Sequence, residues 1–153
     1  MFSFFRKKSS SFFSEEEKQT ITSAIQQAER KTSGEVRVYI ESKCSYVNAI
    51  DRAVEIFGKL NMHQTQQRNA VLVYVAVKDR QLAIFGDEGI HQKVGNDFWN
   101  NAVKQMVQHF NKNNYAVGIA EIVIAIGDAL QHHFPYDEKT DINELPDDIV
   151  FGK

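Results

Sequence analysis

Arg68, Asn69, Asp87 and Glu88 flank the most apolar stretch of this chain, and their side chains suit the binding of an ion. Residues 68–89 read RNAVLVYVAVKDRQLAIFGDEG. The run from Ala70 to Val77 is apolar throughout, which marks a strand covered on both faces. If residues 71–77 and 82–85 pair as a hairpin through Lys78-Asp79-Arg80, the four polar residues meet at one sheet edge. A further strand over residues 35–41, parallel to the first of these, sets Ser33, Gly34 and Glu35 beside Arg68 and Asn69. Three carboxylates (Glu35, Asp87, Glu88) and the Asn69 amide oxygen then form a hard-oxygen set suited to Ca²⁺ or Mg²⁺. Arg68 would position those acids or a bound anion. Gly86 and Gly89 would let backbone atoms approach closely.

Two other readings fit the same residues. An anion could sit at the N-terminus of a short helix near Glu88, held by Arg68, although two acids on one turn repel phosphate unless a metal intervenes. A purely structural reading pairs Arg68 with Asp87 or Glu35 and lets Asp87 cap the next turn. The opposite edge of the sheet gathers Glu41, Lys43, Cys44, Asp51 and Asp79. Asp51 and Asp79 make it a second candidate site, since ligands bind at strand carboxyl ends. Asp79 also reads simply as a turn residue.

The common catalytic signatures are absent. The sequence holds no phosphate-binding G-x-x-x-x-G-K-[ST], no G-x-G-x-x-G, no H-E-x-x-H and no G-x-S-x-G. Six residues beyond Cys44 stands Ile50, where a cysteine phosphatase loop needs arginine. Asp137, Asp141, Asn143 and Asp148 mimic a calcium-loop spacing, but Lys139 and Ile142 occupy positions that need an oxygen ligand and a glycine. The five histidines show no i, i+4 pair.

The elements that must position these residues follow from periodicity. Ser14 and Glu17 form a capping box ahead of a helix with Ile21, Ala24, Ile25 and Ala28 on one stripe. Residues 35–41 alternate as a strand, with Val36, Val38 and Ile40 inward. Asn48 caps a second helix whose stripe is Ile50, Ala53, Val54, Phe57 and Leu60. After the hairpin, a helix fits residues 97–110 and another residues 115–133, ended by Pro135. A helix of about four turns between the first two strands permits a right-handed parallel crossover. The expected fold is α/β: a small mixed sheet, its first two strands parallel and its hairpin antiparallel, between helices on both faces. The division is an N-terminal tail over 1–13, a domain over 14–135 and an acidic tail over 136–153 that docks as a short extended piece at Ile149-Val150-Phe151.

The chain has 153 residues, enough for one domain that buries roughly 70% of its unfolded surface. A net charge of −2 supplies no general field for nucleic acid. One cysteine forms no internal disulfide and fits a reducing compartment. The order of charges and apolar residues at the N-terminus is the reverse of a secretory signal, and no run reaches the ~18 apolar residues of a membrane span. These features lead to the expectation of a soluble cytoplasmic monomer. The aromatic N-terminus (Phe2, Phe4, Phe5, Phe12, Phe13 around Arg6-Lys7-Lys8) offers a surface for a membrane or protein partner.

The assembled pieces resemble the TPM-domain family. The resemblance rests on TSGEVRVYIES (32–42), DRAVEIF (51–57), RNAVLVYVAV before the hairpin turn and FGDEGIH (85–91), with Phe98-Trp99 and Phe134-Pro135 in addition. It spans about residues 13–135 and implies a compact α/β/α sandwich, acid phosphatase activity and divalent-cation binding, Ca²⁺ in particular. Family members are known from the thylakoid lumen, where they are linked to photosystem II repair. Others are bacterial, either membrane-anchored or soluble, and one animal branch modulates acetylcholine receptors. Two departures stand out. The signal and C-terminal membrane helix of many members are not seen, which suggests a soluble bacterial type, and Ala70 replaces the usual glycine. The expected function is divalent-cation binding with a regulatory or partner-binding role. The alternative is metal-assisted hydrolysis of phosphomonoesters.

Overall fold

The computed structural model describes residues 9–136 and 149–152. The calls on Phe2, Phe4 and Phe5 and on most of the acidic tail therefore lie outside the described residues. After a turn of 3₁₀ helix at Ser9–Phe12, the elements run α1 (Glu15–Glu29), β1 (Glu35–Glu41), α2 (Ala49–Lys59), β2 (Ala70–Ala76), β3 (Gln81–Gly86), α3 (Glu88–Asn111), α4 (Tyr115–His133) and β4 (Val150–Phe151).

The sheet has the order β3-β2-β1-β4. β1 and β2 are parallel, with Glu35 opposite Ala70 and Glu41 opposite Ala76, and β3 returns antiparallel, with Val71 opposite Gly86. This is the mixed sheet expected from the crossover and hairpin. β4 adds a fourth strand, parallel to β1, so Val150 and Phe151 dock as extended chain. One face of the sheet, carrying Val36, Val38, Ile40, Val71, Val73 and Val75, packs on α1, α3 and α4. The other, with Leu72, Tyr74 and Ala83, packs on α2 through Ala53, Ile56 and Phe57.

Capping explains where the helices start. Ser14 accepts from Glu17 N at 3.1 Å while the Glu17 carboxylate accepts from Ser14 N at 2.9 Å, the reciprocal box expected from the sequence. Asn48 occupies the cap of α2 but makes no side-chain cap bond. α3 begins nine residues ahead of the expected 97, because Gly95, at φ 77°, interrupts a helix that already starts at Glu88. Among the described residues, α4 is the helix long and apolar enough to cross a membrane. Its apolarity serves the core, since Ile119, Ile122, Val123, Ile126 and Leu130 are all buried.

The expected stripe of α2 is rotated. Ile50 and Val54 are exposed, and Ile56 takes the buried place. At the N-terminal end, Phe13 belongs to the core and Phe12 stacks edge-on with Tyr115.

Candidate functional site

The sheet brings the expected residues together at one edge, in a definite register. Glu35 pairs with Ala70, and Asp87 N donates to Ala70 O at 2.9 Å, so Glu35 and Asp87 stand level on either side of β2. Asn69 is one residue out of step with them, its carbonyl accepting Glu35 N at 3.3 Å. Two strand spacings, about 10 Å, separate the Glu35 and Asp87 backbones. Their carboxylates would have to lean across β2 to share an ion.

Arg68 is placed by its backbone. Its N–H reaches back to Thr65 O at 3.2 Å, and Asn69 N donates to Thr65 Oγ1 at 3.2 Å. That turn forces φ to 53°, a left-handed conformation that an arginine adopts at a cost of about 1 kcal/mol. Gly89 lies so close that a Cβ there would strike the carbonyls of Gln67 and Arg68. Ile90 N donates to Arg68 O at 3.3 Å. The start of α3 is thereby seated on this turn.

The Arg68 guanidinium then grips Asp87 with two bonds, Nε to Oδ2 at 2.7 Å and Nη2 to Oδ1 at 2.8 Å. Asp87 also caps α3, its Oδ1 accepting Glu88 N at 2.7 Å. Both halves of the structural reading are present. The first-turn amides of Glu88 and Ile90 are taken by Asp87 and Arg68, which leaves this helix end a poor anion site. The Arg68 side chain is 48% exposed and that of Asp87 only 4%. Asp87 raises the affinity of the guanidinium for its proton, first through the hydrogen bonds and then through its charge.

Glu35 and Asn69 are buried. The Asn69 Nδ2 reaches Ser33 Oγ at 3.5 Å, while its Oδ1 is buried with no hydrogen-bond partner, an acceptor open to a donor or a cation. Glu88 is exposed and accepts from Gln92 Nε2 at 3.2 Å. Among the described residues, no three His, Cys, Asp or Glu side chains gather as a ready metal site. An ion at this edge would draw on Asp87 and Glu88 together with neutral oxygens such as Asn69 Oδ1, the mixed set that Ca²⁺ tolerates better than Mg²⁺.

From this edge a cleft of about 910 Å³ runs along β3, bounded by the start of α2 on one side and α3 on the other. Arg68, Asp87, Glu88 and His91 line one end, and Asn48, Ala49 and Ile50 come from α2. His91 and Trp99 fall within the family motifs of the sequence but are not among its expected site residues. Trp99 Nε1 donates to His91 Nδ1 at 3.0 Å, so the neutral imidazole carries its proton on Nε2. That tautomer leaves neither ring nitrogen free to hold a metal or attack phosphorus. Trp99 lies against Gly86, where any Cβ would strike its ring.

The opposite edge is a closed ionic network. Arg52 grips Glu41 with two bonds of 2.9 Å and also donates to Glu55, while Tyr74 donates to Glu41 and Tyr46 to Glu55. Burial, and then the hydrogen bond to Glu41, push the Tyr74 phenol far above its ordinary range. Asp79 accepts Cys44 N at 2.7 Å and so pins the chain after β1. Asp51 stands exposed in the first turn of α2. Neither of the two second-edge candidates lines the β3 cleft.

The TPM domain matches residues 7–129. The chain belongs to the TPM-domain family. It is similar to the BA42 protein of the psychrophilic bacterium Bizionia argentinensis, with 39% identity, 91% of this chain and 94% of that one covered, and a TM-score of 0.82. Two further solved domains share the fold. One is the N-terminal domain of a P. gingivalis protein, with 17% identity, coverage of 82% and 83%, and a TM-score of 0.65. The other is the N-terminal domain of cg2496 from Corynebacterium glutamicum, with 14% identity, coverage of 77% and 74%, and a TM-score of 0.61. No curated protein matches the chain. The TPM domain thus accounts for the fold and for nearly the whole described chain.

Proposed function

We propose that this TPM domain is a binding module with a regulatory role that takes a divalent cation, Ca²⁺ ahead of Mg²⁺, at the mouth of the β3 cleft. The observation that carries this reading is Asp87. It is a nearly buried carboxylate held in place by the start of α3 and already engaged to a positive charge through both oxygens. Arg68 and the ion therefore compete for Asp87, and binding frees the guanidinium. Glu88 supplies a second carboxylate. The Asn69 oxygen, one strand away, and Glu35, two strands away, complete the oxygen-rich surroundings.

A hydrolase draws less support. Among the described residues no Ser, Thr or Cys lines the cleft, and the Trp99 bond fixes His91 in the wrong tautomer for attack.

Calorimetric titration of the full chain with CaCl₂ tests the proposal. Wild type binds, Asp87→Asn loses the signal, and Arg68→Met binds several-fold more tightly because the competing cation is gone. Absence of heat in both wild type and Arg68→Met would overturn it.

A further inference from the structure

Among the described residues β3 is the outermost strand on its side of the sheet, and the bond from Asp87 N to Ala70 O sets its phase. In an antiparallel pair the residues alternate, so 81, 83 and 85 turn their backbone groups to β2 along with 87. Leu82, Ile84 and Gly86 turn theirs to the open edge, and all three line the cleft. Sheet edges are ordinarily blunted by lysine, proline, a bulge or a covering segment. The strand QLAIFG carries no charge and no proline, and its pairing with β2 runs without a bulge.

We infer that the β3 edge is a docking site for an extended peptide of a partner protein, which adds as a fifth strand antiparallel to β3. Ala83, Ile84 and Gly86 are buried although the strand is an edge, because α2 and α3 rise on either side. A second copy of this chain would bring an equally recessed edge, and the two could not close to the ~4.8 Å that pairing needs. A single strand fits between the helices. The rims have apolar members: Ile50 on α2, 42% exposed, and Val103 on α3 line the cleft, and the exposed Val54 and Val107 stand one helical turn further along the same helices. Alternate apolar side chains of the peptide would cover them.

Charge sets the direction. At the hairpin end the acids and bases balance once the Arg52–Glu41–Glu55 network is counted, and the positive end of α2, which Asn48 leaves without a side-chain cap, lines the cleft and supplies the basic character. At the other end Asp87 and Glu88 outnumber Arg68. An antiparallel strand starts at the acidic end and finishes at the basic one, so it carries a basic residue first and an acidic residue last.

The test uses the full chain in EDTA, which separates it from the cation reading. The probe is a labelled peptide of alternating Val and Thr, with Lys at the amino end and Glu at the carboxyl end. At saturation, amide exchange at Leu82, Ile84 and Gly86 slows by at least about tenfold, while Ala83 and Phe85 do not change. Exchanging the two terminal charges weakens binding about threefold, the worth of an exposed ion pair. Leu82→Pro, which removes an outward N–H at a position where an edge strand tolerates proline, abolishes binding. No binding at millimolar peptide, protection that does not alternate, or a dimer through β3 in sedimentation would each overturn the proposal.

Discussion

The two ends of the sheet each carry an arginine that grips a carboxylate with two bonds, yet they are built for different ends. At one, Arg52 and Glu41 are 17% and 7% exposed, and Tyr74 and Glu55 occupy what the pair leaves over. At the other, Arg68 is half in solvent over Asp87, beside an open cleft and a buried Asn69 oxygen with no partner. The same chemistry is closed off in one place and half open to solvent in the other. Burial and saturation, not residue type, separate a structural clamp from a site that can trade partners.

Removing one member from each pair gives the sharpest contrast. Arg52→Met leaves the Glu41 carboxylate buried without its counter-ion and lowers stability by about 3–5 kcal/mol in urea denaturation. An effect under 1 kcal/mol there would erase the distinction. Arg68→Gly loses a half-exposed ion pair, but it also relieves the left-handed backbone, so its urea midpoint shifts far less than that of Arg52→Met. Arg68→Met keeps the strained φ and is the less stable of the two.

The smallest effect is one of pH. In the folded chain the Tyr74 phenol is held neutral, its pKa raised chiefly by burial and then by Glu41, and Tyr39 is raised by burial too. Below about pH 10 both folded and unfolded tyrosines are neutral, and this contribution to stability is complete. As pH rises through 10 the unfolded chain ionises first, so stability falls. Tyr74→Phe flattens that alkaline decline relative to wild type. A decline unaltered by the substitution would place its origin elsewhere.

Much of this was legible in the sequence because local rules and topology agreed. The apolar run 70–77, the hairpin turn and the crossover length put Glu35, Asn69 and Asp87 on neighbouring strands before any coordinates. The ion pair and cap at Asp87 were among the alternatives. The Arg52–Glu41 network was not legible. A charged residue on an amphipathic helix reads as solvated, and only Glu41, opposite Ala76 in the apolar run that also holds Tyr74, hinted otherwise. The α2 stripe failed for another reason. Positions 50, 53, 54 and 57 and positions 53, 56, 57 and 60 are equally good helical arcs, and the sheet that chooses between them is not in the local sequence. His91 and Trp99 meet across the break at Gly95, a contact that no helical spacing encodes.

β4 lies on the far side of β1 from the cleft, and the 3₁₀ turn at Ser9–Phe12 also packs near β1. Chain entering at residue 9 and chain leaving at residue 152 therefore emerge at one margin, while β3 faces away from both. Three strand spacings, about 14 Å, lie between the strand at the exit and the strand that lines the cleft. A tether that continues from this margin would act as a handle, holding the domain with β3 turned outward.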